Sequence, residues 1–101
     1  MTALIAALLL GSPLCKAAPA LQAKTKITCA AARKSALEKL GGRNLKVKSA
    51  ELEEESGKLV YSFDVKRKGM PGVDEVQVDA LTGEVSAVKH ETAKDEAKEK
   101  D

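Results

Sequence analysis

The chain has 101 residues, with 17 basic and 15 acidic side chains and a net charge of +2. This length supports one domain with one modest core. Because 32 % of the residues are charged and 2 % are aromatic, that core must be mainly aliphatic. The near balance of charge argues against a nucleic-acid binder, which would show a basic patch interleaved with aromatic residues. No apolar run reaches the roughly 20 residues that a membrane helix needs.

Residues 1–20 resemble a secretory signal peptide. Residues 3–10 form an unbroken apolar run, and small residues follow it, as in the apolar core and cleavage region of such signals. Small residues two positions apart predict cleavage after Ala17 or Ala20. The alternative is an N-terminal helix that stays on the protein. With the signal peptide removed, we expect an exported protein, periplasmic or extracellular, without a stable membrane span.

The two cysteines have separate interpretations. Leu14 stands where a lipoprotein signal needs a small residue, so lipidation of Cys15 is not expected. If Cys15 leaves with the signal peptide, Cys29 has no partner in an oxidising compartment. Cys29 is then predicted to be a small buried residue on a helix. The alternative is a reactive thiol at a helix N-terminus that forms a disulfide with another protein.

A helix is predicted from Cys29 to Leu40. Thr28 precedes it as a good N-cap, and Gly41 with Gly42 supplies a stop signal. Apolar residues recur within it at spacings of three and four, which predicts a stripe that packs on a sheet. The members of the stripe are Cys29, Ala32, Ala36, Leu37 and Leu40.

The next predicted element is a strand from Leu45 to Glu55, paired with its neighbour across a tight turn at Ser56-Gly57. The alternation of apolar residues changes phase midway, which predicts a β-bulge near Lys48-Ser49. The turn sets the register of this hairpin. It places Leu52 opposite Tyr61, Ala50 opposite Phe63 and Glu55 opposite Lys58.

The strand after the Ser56-Gly57 turn alternates through Tyr61, Phe63 and Val65, and one further segment alternates through Val76, Val78 and Ala80. These two strands are predicted to form a second hairpin across the loop at residues 68–72. We expect Phe63 to lie opposite Val78, because this register also joins apolar residues to apolar ones and opposite charges to each other. The other expected pairs are Val65 with Val76, Tyr61 with Ala80 and Lys66 with Glu75.

A second tight turn follows at residues 79–83. The Asp79 carboxylate can accept hydrogen bonds from backbone amides two or three residues on, Thr82 is part of the turn, and Gly83 can take the positive φ that closes it. A last strand is predicted to continue through Val85 and Ala87, opposite Val78 and Val76.

The residues that could carry chemistry are few. The single histidine, His90, is predicted to lie beyond the last strand as a solvated imidazole and not as a catalytic base. The acidic run from Glu51 to Glu55 is interpreted as a solvated edge, since it lacks the loop geometry of a calcium site. The sequence therefore predicts no catalytic residues, no metal site and no cofactor, and no enzymatic activity.

The helix ending in Gly-Gly, the Gly57-Lys58-x-x-Tyr61 motif and the turn at residues 79–84 together resemble the PepSY domain family. The resemblance covers residues 26–89. It implies an α+β fold with one helix packed on a four-stranded antiparallel meander. The chain then divides into the signal peptide, a domain at 21–90, and a charged, disordered tail at 91–101.

PepSY domains occur in propeptides of secreted peptidases and as small exported proteins. The resemblance therefore implies a non-enzymatic module that binds and modulates another protein, such as a peptidase. The candidate contact is the loop formed by Gly69, Met70, Pro71 and Gly72, which is long and carries an apolar side chain. Its alternative is a simple connector. The alternative function is an envelope protein that binds a small or cell-wall ligand on its sheet face.

Overall fold

The computed structural model describes residues 15–92; most of the predicted signal peptide (1–14) and tail (93–101) lies outside the described residues. The described elements are helices α1 (Pro19–Gln22) and α2 (Cys29–Leu40) and strands β1 (Leu45–Glu55), β2 (Lys58–Arg67), β3 (Val73–Asp79) and β4 (Val85–Glu91). The strands form one antiparallel sheet in the order β1-β2-β3-β4, and α2 packs against it. The predicted α+β architecture is confirmed.

Helix α2 begins and ends where the sequence predicts. The Thr28 hydroxyl accepts a hydrogen bond of 3.0 Å from the Ala31 amide and caps the helix. Ala32 and Ala36 are fully buried, so the face that meets the sheet has only methyl groups at its centre. Such small residues let the helix lie close to the strands, and the packing stabilises a helix too short to be stable alone.

The core lies under α2, on one face of the two central strands. Tyr61 and Phe63 of β2 are fully buried and stack with their ring centroids 6.3 Å apart. The Tyr61 hydroxyl donates to the Ile27 carbonyl at 2.6 Å and accepts from the Gln22 side chain at 3.3 Å. The ring therefore fills the core while its polar end ties the segment before α2 to the sheet.

The first hairpin has the predicted register, whereas the second does not. Ala50 lies opposite Phe63, and the β-bulge falls between Val47 and Ser49, as predicted. In the second hairpin Phe63 faces Val76 and not Val78, a displacement of two residues. The physical reason is that a two-residue shift keeps every side chain on its face, so a period-two pattern cannot detect it. The remaining pairs that replace the predicted ones are Tyr61 with Val78, Val65 with Asp74 and Asp64 with Glu75.

Strand β4 also departs from the prediction. Val85 lies opposite Val78, as expected, but a bulge between Gln77 and Val78 changes the register after it. Val88, rather than Ala87, therefore lies opposite Val76. The strand continues to Glu91, further than the alternating pattern indicates.

The segment before α1 is joined covalently to α2. Cys15 is buried and forms a disulfide with Cys29, so Cys29 has a partner in a chain that retains Cys15. Lys16 then makes a parallel bridge on the outer edge of β1, with its amide 2.9 Å from the Ala50 carbonyl and its carbonyl 2.8 Å from the Leu52 amide. Cleavage after Ala17 or Ala20 would remove both the disulfide and this bridge.

Candidate functional site

The loop at residues 69–72 lies at one end of the sheet, beside the α2–β1 connection. The Lys68 amide donates to the Asn44 carbonyl at 3.1 Å, which joins the two connections. A Cβ on Gly72 would overlap the Glu91 backbone, so the loop also packs closely against the end of β4. Met70 is 48 % exposed at the tip, and its carbonyl accepts a hydrogen bond from the Lys66 ammonium. The loop is thus anchored at its base and presents an apolar side chain to solvent.

A buried carboxylate lies at the same end of the sheet. Asp74 accepts hydrogen bonds from Arg67 Nε at 2.6 Å and pairs with His90 Nδ1 at 2.7 Å. Burial alone would raise the pKa of Asp74, but the hydrogen bonds and positive charges of Arg67 and His90 outweigh it and lower the pKa below the usual value. The interpretation of His90 as a solvated imidazole beyond the last strand is wrong, since His90 lies within β4 and binds Asp74.

The turn at residues 79–83 lies at the opposite end. Asp79 Oδ1 accepts from the Leu81 amide at 2.7 Å and the Thr82 amide at 3.0 Å, and these bonds lower its pKa. The Thr82 hydroxyl accepts from the Glu84 amide at 3.2 Å. Gly83 has a φ of 85°, a region that glycine enters without steric cost. All these contacts are internal to the turn, and each stabilises its backbone.

The face of the sheet opposite α2 carries an acidic row on β1. Glu51, Glu53 and Glu55 alternate along the strand, and Glu75 lies two strands away on the same face. Partial burial, a hydrogen bond with Glu51 and repulsion from the neighbouring carboxylates raise the pKa of Glu53 to about 7. Gln77 donates to Glu55 at 3.2 Å, so part of the row is tied to β3.

The two edges of the sheet differ. The outer edge of β1 is partly covered, because Lys16 occupies the backbone groups of Ala50 and Leu52. Strand β4 forms the other edge, and no described strand pairs with its outer side. Its Val88 side chain is 44 % exposed. Within the described residues, β4 is therefore the edge that no other strand covers.

Comparison with known proteins identifies the family. A family model described as PepSY, peptidase propeptide and YPEB domain, matches residues 26–89. The chain belongs to the PepSY family. Searches of curated proteins and of solved structures found no significant match. PepSY domains are propeptide-like or inhibitor-like, generally non-catalytic and typical of exported proteins.

The histidine of this PepSY domain has a carboxylate partner: His90 Nδ1 lies 2.7 Å from Asp74 Oδ1. Within residues 15–92, no three His, Cys, Asp or Glu side chains are grouped to hold a metal ion, and no helix is long and apolar enough to cross a membrane.

Sequence reasoning missed the pair formed by Asp74 and His90, although a signal for it was present. Asp74 continues the alternation of Val76 and Val78, which places its carboxylate on the buried face of β3. A buried carboxylate requires partners of opposite charge. Arg67 and His90 were the available cations at the ends of the flanking strands.

Proposed function

We propose that this PepSY protein is an exported, non-enzymatic module that binds and modulates another protein, such as a peptidase. The observation that carries the proposal is the family match over residues 26–89, which includes α2 and all four strands except the last two residues of β4. The family's description names peptidase propeptides. A domain of this kind acts by contact with its partner rather than by chemistry of its own.

The proposed contact includes the loop at residues 69–72 and the edge of β4. An exposed methionine on an anchored loop offers adaptable apolar contact area. An edge strand offers unpaired amides and carbonyls, to which an extended segment of a partner can add by backbone hydrogen bonds. We favour β4 over β1 because Lys16 already occupies the middle of the β1 edge.

The absence of enzymatic activity is part of the proposal. His90 is held by Asp74, and both cysteines are consumed in the disulfide. The Asp79 carboxylate is held by the amides of its own turn. Each of these groups has a structural partner that explains its position, and the proposal assigns none of them a role in acyl transfer.

Export is supported by the apolar run at residues 3–10 and by the disulfide, which persists in oxidising compartments. The disulfide and the Lys16 bridge favour an exported chain that still contains Cys15. Intact-mass analysis of the exported protein shows which residue begins the chain. A chain that begins at Ala18 or Leu21 lacks the disulfide, and a chain that still begins at Met1 contradicts removal of a signal peptide.

The proposed function is tested with the purified exported protein and the peptidases secreted by the same cells. We expect inhibition or a stable complex, and no turnover in a screen of peptide, ester and glycoside substrates. Replacing Met70 and Pro71 together should weaken the complex, whereas removing residues 93–101 should leave it intact. Absence of any complex or inhibition would contradict the proposal and favour a small ligand on the sheet face.

A further inference from the structure

A groove runs along α2 on the side that faces the start of β1. It has a volume of about 540 Å³ and extends from Ala30 past the end of the helix. Leu37 and Leu45 are half-buried in its wall, so their remaining surface faces the groove and solvent. The complete lining is Ala30, Arg33, Lys34, Leu37, Glu38, Gly41, Gly42 and Leu45.

The rim of the groove is mainly cationic. Arg33 and Lys34 line it, and neither has a hydrogen-bonding or ion-pair partner for its side chain within residues 15–92. Arg43 follows the two lining glycines directly in the chain and is exposed. Glu38 is the one acidic side chain of the lining. An apolar wall with unpaired cations beside it is complementary to a ligand that joins an apolar group to a carboxylate.

One end of the groove lies beside the loop at residues 69–72. The groove includes Gly41, Gly42 and Leu45 of the α2–β1 connection. The same connection accepts a hydrogen bond from Lys68 through the Asn44 carbonyl, immediately before the loop. One partner surface can therefore contact both features at once.

We propose that this groove, which we call the α2–β1 groove, binds a segment of the partner protein in which a large apolar residue is followed by acidic residues. The apolar side chain lies against Leu37 and Leu45, and the carboxylates lie beside Arg33 and Lys34. This inference rests on the proposed function, because it names the chemistry of the surface that the partner presents. It adds the helix side of the domain to the contact already proposed for the loop at residues 69–72 and the edge of β4.

A protein segment suits the groove better than a small amphiphile does. Pockets for small ligands bury most of the ligand surface. The α2–β1 groove is open along its length, with Ala30, Lys34 and Glu38 all exposed, so it would leave much of an alkyl chain in water. A side chain that projects from a partner is different, because the rest of the partner covers the open side.

The test uses three synthetic octapeptides and the full protein labelled with ¹⁵N. The first peptide contains Leu-Phe-Asp-Glu flanked by Gly-Ser, the second has Lys-Lys in place of Asp-Glu, and the third has Ala-Ala in place of Leu-Phe. We expect the first peptide to shift the amide resonances of residues 30–45. The other two peptides should bind about tenfold more weakly, and added salt should weaken the first.

The matched variants are Lys34→Glu and Lys39→Glu. Both residues are exposed on α2 and both changes alter the net charge equally, but only Lys34 lines the groove. Lys34→Glu should weaken binding of the first peptide by about tenfold or more, and Lys39→Glu by less than about twofold. The inference is overturned if the two variants lose the same affinity for the first peptide, or if the peptide with Lys-Lys binds as well as the first. It is also overturned if the amide resonances that shift all belong to residues outside 30–45. Decanoate binding in this groove without peptide binding would assign it to a small amphiphile instead.

The same variants separate this inference from the proposed function. If the protein inhibits or captures a peptidase and Lys34→Glu does so equally well, the proposed function stands and the groove inference fails. If the first peptide binds in the groove but no peptidase is inhibited or captured, the groove inference stands and the peptidase partner is wrong.

Discussion

Removing the disulfide should cost the domain a large part of its stability. The bridge joins residues that are 14 positions apart in the sequence. A closed loop of about 15 residues removes roughly 3 kcal/mol of chain entropy from the unfolded state. The total stability of a small domain is about 5–15 kcal/mol. We therefore expect the double variant Cys15→Ala, Cys29→Ala to remain folded but to unfold much more easily than the parent.

The measurement is urea unfolding followed by circular dichroism, on the exported chain with Cys15 present. With a slope of about 1–1.5 kcal/mol/M, a loss of 3 kcal/mol lowers the midpoint by roughly 2 M or more. The control is the parent protein with a thiol reductant, which should match the double variant, while the reductant should not affect the variant. The reasoning is refuted if the parent and the double variant have urea midpoints within about 0.3 M of each other, although mass analysis shows the disulfide in the parent.

Four other substitutions have separate expected results. Phe63→Ala should cost about 3–5 kcal/mol by thermal melting, because the ring is fully buried on a central strand; a melt close to that of the parent would show that the ring is not in the core. Gly83→Val should cost about 1–3 kcal/mol, because a β-branched residue resists a φ of 85°. Since the pKa of Glu53 is raised to about 7, its protonated form is favoured on folding, and stability falls as pH rises from 4.5 towards 7. Glu53→Gln should therefore stabilise the domain above pH 7 by about 1 kcal/mol after solvent screening, and Glu54→Gln, on the other face, should not. Since the pKa of Asp74 is lowered, its contacts with Arg67 and His90 stabilise the fold above the usual carboxyl pKa, and this stabilisation is lost as pH falls. Asp74→Ala should lower the free energy of unfolding by about 2 kcal/mol at pH 7. The difference in unfolding free energy between this variant and the parent should become smaller at acidic pH.

Local signals made part of the fold predictable. The bounds of α2 follow from a cap, a periodic stripe and a glycine stop, all within 14 residues of sequence. The register of the first hairpin is fixed by the tight turn at Ser56 and Gly57, both of which have positive φ. The loop at residues 68–72 is longer and does not fix a register. Period-two alternation allowed both pairings, and the matching of apolar and charged partners favoured the pairing that the structure does not have.

The contacts that were not predicted join residues far apart in the chain. The disulfide requires that Cys15 remain on the exported chain. The apolar run before Cys15 predicted a signal peptide whose removal would take Cys15 with it. The contact between Asp74 and His90 depends on the bulge between Gln77 and Val78, which sets the register of β4. No local sequence pattern predicts that bulge. The α2–β1 groove was missed for the same reason, since it requires the position of Leu45 relative to the helix.

The polar side chains at the Asp79 turn and around Asp74 are hydrogen-bonded or ion-paired within the domain, and this supports binding as the function. Asp79 and Thr82 stabilise a turn, and Asp74 is held by Arg67 and His90. These groups already have the interactions that account for their positions. Among residues 15–92, the exposed features without such an account include the loop tip at Met70, Leu81 in the turn, Val88 on β4, and the groove beside α2 with its unpaired cations. The loop and the groove meet at one end of the molecule, opposite the Asp79 turn. A partner that contacts both would leave the turn and the acidic row on β1 exposed, so substitutions there should change stability without changing affinity.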